Sequence, residues 1–109
     1  MVNVRIKNFH LRNTDSQWIA QVVITSDWMF SCVSEYWNFS FAWRSTWVDD
    51  FRKFLLKIDE SYFWWKMYQG ISYVASTKKV ENNCYRFADK VLPILKETLK
   101  EDIEKNPVF

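Results

Sequence analysis

His10 is the chain's one histidine, set between Phe9 and Leu11. It is the side chain best suited to general base work near neutral pH. That work needs a hydrogen-bonded neighbour to orient the ring and a nucleophile within reach. Ser16 and Ser26 fall in turn-like segments without a nucleophile elbow, and the one glycine, Gly70, lies elsewhere. His10 therefore reads as a strand-surface histidine. Cys32 and Cys84 are far apart and show no paired spacing, and with one histidine they cannot complete a tetrahedral zinc site without carboxylates. They read as reduced thiols behaving as small apolar residues. The pairs Asp49/Asp50 and Asp59/Glu60 have the residue types of a glycosidase or a metal site. Both sit at helix ends, where capping already accounts for them. Lys78/Lys79 and Arg5/Lys7/Arg12 read as solvated basic faces. The expectation is a chain with no catalytic residues, no metal and no cofactor.

What the chain has in excess is aromatic surface. Twenty-one of its 109 residues are Phe, Trp or Tyr. They crowd the middle: Trp28, Phe30, Tyr36, Trp37, Phe39, Phe41, Trp43, Trp47, then Tyr62, Phe63, Trp64, Trp65 and Tyr68. Each such ring can bury roughly 150–250 Å², while a domain of this length hides only about 60–70% of its unfolded surface. Some rings are expected outside, where tryptophan and tyrosine mark partner surfaces.

Length implies one domain spanning residues 1–109. Charge is balanced along it: four Lys/Arg against three acids over residues 1–46, four against four over 47–75, and seven against six over 76–109. A nucleic-acid binder concentrates cations on one face, and a DNA mimic needs a strongly acidic surface, which a net charge of +2 excludes. No secretory signal or membrane-length apolar run is evident in the sequence, so a cytoplasmic protein with no membrane partner is expected.

The elements that must position these rings follow from periodicity. Residues 1–44 read as an antiparallel sheet. Val2, Val4 and Ile6 alternate with polar residues, then Phe9 and Leu11 take the opposite parity, which predicts a bulge near Asn8. The run Asn13-Thr14-Asp15-Ser16 is turn chemistry. Residues 17–25 form a second strand with Trp18, Ala20, Val22 and Ile24 on one face, and residues 29–36 a third. Phe39, Phe41 and Trp43 alternate through a fourth, and the short connections imply a meander.

Residues 46–105 read as helices. Trp47, Phe51, Phe54, Leu55 and Ile58 share one face, with Thr46 as N-cap and Asp49 completing a capping-box variant. A short helix covers residues 61–69, with Gly70 as its left-handed cap. Residues 76–105 carry the stripe Val80, Cys84, Phe87, Val91, Leu95 and Leu99, interrupted by Pro93, where a kink is favoured over a split because the stripe keeps its phase. Residues 106–109 are expected to fray. The fold class is α+β: a four-stranded antiparallel meander packed against the C-terminal helices.

Trp43, Trp47, Phe51 and Phe54 fit the core between sheet and helix. The short helix differs, because its aromatic residues point all round the cylinder. Phe63 and Met67 share the inward face, Trp64 and Tyr68 a neighbouring one, and Trp65 projects further round. A helix sandwiched between sheet and last helix, a self-association surface and a docking site each fit this pattern. Base stacking on the rings is thinly supported, with only Lys66 nearby.

The segments Asn38-Phe39-Ser40-Phe41-Ala42-Trp43, Phe51-Arg52-Lys53-Phe54-Leu55 and Asp59-x-x-Tyr62-Phe63-x-x-Lys66-Met67 resemble small accessory proteins of tailed bacteriophages and prophages. The resemblance covers roughly residues 17–70. It implies no enzyme activity. It implies a protein of the host cytoplasm that binds and disables a host enzyme, with CRISPR effectors and DNA-processing nucleases as target classes. An anti-CRISPR inhibitor is thus the leading expectation, with Trp64, Trp65 and Tyr68, and Tyr36 and Trp37 on the adjoining turn, as partner-binding residues. The alternatives are a self-associating (homodimeric) structural component of a phage and a nucleic-acid accessory protein. The chain departs from the group by placing bulky Trp37, Arg44, Trp64 and Trp65 where small residues are usual.

Overall fold

The computed structural model describes residues 4–35, 38–43, 50–72 and 78–109, with the side chains of 70–72 left out. Four strands, β1 (Ile6–Arg12), β2 (Trp18–Thr25), β3 (Met29–Ser34) and β4 (Asn38–Ala42), are followed by three helices, α1 (Phe51–Lys57), α2 (Glu60–Ser72) and α3 (Lys78–Lys105). The strands form one antiparallel sheet in sequence order, the expected meander. The helices pack on one of its faces, which makes the α+β class plain.

Alternation decides which face is covered. Phe9, Leu11, Ala20, Val22, Ile24, Phe30, Cys32, Phe39 and Phe41 point toward the helices, all buried or half-buried. The opposite parity (Asn8, His10, Gln21, Val23, Ser31, Val33, Asn38, Ser40) faces away and carries no carboxylate, lysine or arginine. In β1 this corrects the sequence expectation. No irregularity occurs at Asn8; the register shifts between Leu11 and Arg12 instead. Val4 and Ile6 therefore stay on the outside, Ile6 66% exposed. The core face begins where helices exist to cover it, at Phe9.

The first two turns use non-glycine residues. Asn13 Oδ1 accepts from the N–H groups of Asp15 and Gln17 at 2.9 and 3.0 Å, the expected turn chemistry. Ser16 beside it has φ 62°. Between β2 and β3, Trp28 adopts φ 73° and its N–H bonds back to the Thr25 carbonyl. That left-handed position is one where glycine is usual. Trp28 is held there by its ring, which stacks on Phe51 at 4.9 Å and lies 5.3 Å from Phe54.

The first two helices begin on aspartates. Asp50 caps α1, its Oδ1 accepting from the Arg52 N–H at 2.9 Å, so the cap is Asp50 and not Thr46. Thr46, Trp47 and Asp49 lie outside the described residues. The Ile58 carbonyl, just past α1, accepts from Lys96 of α3. Asp59 caps α2, accepting from the Tyr62 N–H at 2.7 Å. Gly70 does not cap α2: the helix runs on through it to Ser72, and no glycine has a positive φ. α3 continues through Pro93 as one helix. Pro93 and Asp89 are both exposed, so the carbonyl deprived of its donor has water available. The predicted stripe Val80, Cys84, Phe87, Val91, Leu95 and Leu99 is wholly buried.

Residues 106–109 are not frayed. Arg52, 0% exposed, is their anchor. Its guanidinium donates to Asp50 and Asp102 at 2.7 Å each and to the Asn106 carbonyl at 2.7 Å. The Phe109 ring lies 5.4 Å from the guanidinium and 5.6 Å from the Lys7 ammonium. Lys7 also pairs with Asp102 at 3.1 Å. One buried cation thus ties α1, α3 and the tail together, and Lys7 adds β1.

Candidate functional site

α2 sorts its side chains by direction. Phe63 and Met67 point inward and are fully buried, with Phe63 edge-on to Phe30 at 5.6 Å and stacked on Phe87 at 5.5 Å. On one flank the Tyr62 hydroxyl accepts from the Trp43 indole at 3.1 Å, and the Lys66 ammonium lies 5.4 Å over Phe41 and 5.5 Å over Tyr62. This flank belongs to the sheet.

The other flank carries the candidate site. Trp64 stacks on Tyr85 of α3 at 4.3 Å and 22°, and on Tyr68 at 5.8 Å and 13°. Trp65 joins from outside, 5.7 Å from Trp64 and 6.3 Å from Tyr68. The Trp64 indole N–H donates to the Glu81 carbonyl at 3.3 Å, so its polar atom is spent inside the protein. Trp64 and Tyr68 are half-buried, whereas Trp65 is 47% and Tyr85 51% exposed. The result is a rigid aromatic platform with two open rings.

Of the sequence-predicted residues, Trp64, Trp65 and Tyr68 are brought together, and Tyr36 and Trp37 lie outside the described residues. Tyr85 was missed. Its signal is present: an aromatic directly after Cys84, one residue off the α3 stripe, on a face that otherwise holds polar residues. Trp64, half-buried against Tyr85 with its indole N–H bonded to the Glu81 carbonyl, also packs α2 against α3.

The histidine and the two cysteines occupy different parts of the fold, the outer sheet face and the core. His10 lies exposed on the outer sheet face opposite Gln21. Cys32 and Cys84 are free and buried; burial pushes the Cys32 thiol up to about 12, and burial with the Glu81 charge pushes Cys84 up to about 11. Both are protonated at neutral pH, the opposite of a nucleophilic thiolate. Among the described residues no three His, Cys, Asp or Glu side chains are grouped to hold a metal, and no helix is long and apolar enough to cross a membrane. A shallow hollow of about 180 Å³ between β1 and α3 is lined by Phe9, Thr98, Glu101, Asp102 and Lys105, and its Asp102 is already committed to Arg52 and Lys7. What the platform can do is bind: it offers flat apolar area on a preorganised base. No family model, curated protein or solved structure matches the chain.

Proposed function

We propose that this chain is a non-enzymatic inhibitor that docks on another protein through the α2–α3 aromatic platform. Two large rings, Trp65 and Tyr85, stand half out of water on rings that are themselves fixed, and this observation carries the reading. Rigid aromatic anchors lose little entropy on binding and dominate interface energetics. Lysine and arginine are spread along the chain in near balance with acids, fifteen against thirteen, and Lys66 beside the platform lies over Phe41 and Tyr62. That favours a protein partner over a phosphate backbone, which needs free cations. The resemblance to phage accessory proteins narrows the partner to a host defence protein in the bacterial cytoplasm, with a CRISPR effector as the first target class to test.

The variant Trp65→Ala/Tyr85→Ala tests this. Truncated anchors of this type cost about 2 kcal/mol or more each, roughly 30-fold in affinity. The wild-type protein, added to a set of purified CRISPR effectors, should suppress target cleavage by one of them. The double variant should lose that suppression while remaining folded by circular dichroism, its melt lowered only by the loss of the Trp64–Tyr85 stack. Suppression that survives the double substitution counts against the platform, and cleavage unaffected in every case counts against the inhibitor reading.

A further inference from the structure

The sheet has two edges, and they are built differently. β1 carries the devices that keep an edge from pairing. Its register breaks between Leu11 and Arg12, its basic residues are Lys7 and Arg12, and Lys7 is pinned to Asp102 of α3 beneath the Phe109 ring. β4 has none of these. Asn38–Ala42 contains no charge, no proline and no bulge.

The hydrogen-bond phase of β4 is fixed. The Trp43 N–H donates to the Trp28 carbonyl at 3.0 Å, so along the antiparallel register Phe41 and Phe39 turn their backbone groups to β3. Asn38, Ser40 and Ala42 turn theirs outward, and no described residue pairs with that side. Phe41 sits at the same margin, only half-buried, over the covered face of the sheet.

We propose that β4 is a pairing edge for a second copy of this chain, joined antiparallel about a two-fold axis through Ser40. In that register Asn38 meets Ala42 of the second copy, Ser40 meets its own equivalent and Ala42 meets Asn38, all in hydrogen-bonded pairs. Every outward group of the strand finds a partner at once. Phe39 and Phe41 then fall opposite each other in the closer, non-hydrogen-bonded pairs, which covers the half-exposed Phe41 ring. The charge-free strand is what singles out a copy of itself: two β4 strands meet with no like-charged pair in the ladder, Lys66 staying over the Phe41 ring on the helix side, whereas two β1 edges bring Lys7 and Arg12 together. Such an interface is isologous and closes at two subunits. A five-residue strand pair is small, so dissociation on the order of 10 µM is expected.

Sedimentation equilibrium over a micromolar concentration series, with amide exchange followed by NMR, tests the proposal. The wild type should pass from monomer to dimer, and the Ser40 and Ala42 amides should gain protection along the series. The Phe39 and Phe41 amides, bonded to β3, are protected throughout. Ser40→Lys puts like charges on the axis while leaving the side chain in solvent in the monomer, and should weaken the dimer at least about 10-fold. Ser40→Pro removes an N–H that β3 does not use and should do the same. The aromatic variant Trp65→Ala/Tyr85→Ala should dimerise as wild type does, which separates this edge from the docking platform. A wild type that stays monomeric across the series overturns the proposal, even if β4 accepts a strand from another protein. So does a dimer indifferent to Ser40→Lys, or one in which the Ser40 and Ala42 amides stay unprotected.

Discussion

Trp28 occupies backbone that costs a non-glycine residue about 1–2 kcal/mol, and its ring offsets that cost against Phe51 and Phe54. The two effects separate by substitution. Trp28→Ala loses the stacking and keeps the strain, so it should be destabilised by about 3–5 kcal/mol. Trp28→Gly loses the same stacking but relieves the strain, and should be about 1 kcal/mol more stable than the alanine variant in urea denaturation. Equal stabilities would show that the φ of 73° carries no cost. The two thiols give a second residue-scale expectation. With Cys32 pushed up to about 12 and Cys84 to about 11, both buried, neither should react measurably with a thiol reagent at pH 8 until the protein is unfolded. Their inertness was legible from two isolated cysteines in apolar patterns; the strain at Trp28 was not, because a turn of Ser26 and Asp27 does not announce which neighbour goes left-handed.

At the scale of elements, periodicity exposed most of the architecture. The α3 stripe and the inward face of α2 were readable because a helix packed on one side must repeat its apolar residues every three to four positions. Arg52 was not readable in the same way. It lies on a buried stretch of α1 between Phe51 and Phe54, and a charge there makes sense only once Asp102 is known to arrive fifty residues later. The docked tail was missed for the same reason, since residues 106–109 have no periodicity and are held by their carbonyls and one ring. Removing Arg52 leaves Asp50 without its ion-pair partner and Asp102 with Lys7 alone, so Arg52→Ala should cost about 3–5 kcal/mol. It should also release the tail, read as earlier proteolysis after Lys105. Arg52→Lys should rescue only part of the loss, because an ammonium cannot span two carboxylates and two carbonyls in one plane. Full rescue by lysine would show that charge alone matters at this site.

For the whole molecule, the same cluster sets a pH limit. Burial pushes the Asp50 and Asp102 carboxyls up, but hydrogen bonds from Arg52, and at Asp102 from Lys7 as well, overcome it and hold both below the usual carboxylate range. A carboxyl lowered in the folded state contributes stability that is complete above its unfolded pKa of about 3.9 and is lost as pH falls through the lower folded value. Thermal stability should therefore be flat through neutral pH with respect to these two groups and fall below about pH 4. In Arg52→Ala that acid-side fall should shrink, since Asp50 loses the bonds from the Arg52 side chain that favour its anion and Asp102 keeps only those from Lys7 and Asn106. An unchanged acid limb in the variant would place the pH sensitivity elsewhere.

The half-exposed indole of Trp65 has an optical consequence. Indole emission shifts to the red in water and to the blue in apolar surroundings, and dissolved acrylamide reaches only rings that solvent reaches. Trp43, enclosed by Phe30, Phe41, Phe51 and Phe54, is shielded from such a quencher, while Trp65 is open to it. The proposed docking platform therefore carries its own label: occupation of that surface should shift the Trp65 part of the emission, read as the difference between wild type and Trp65→Phe, toward the blue and shield it from acrylamide, with no dye attached.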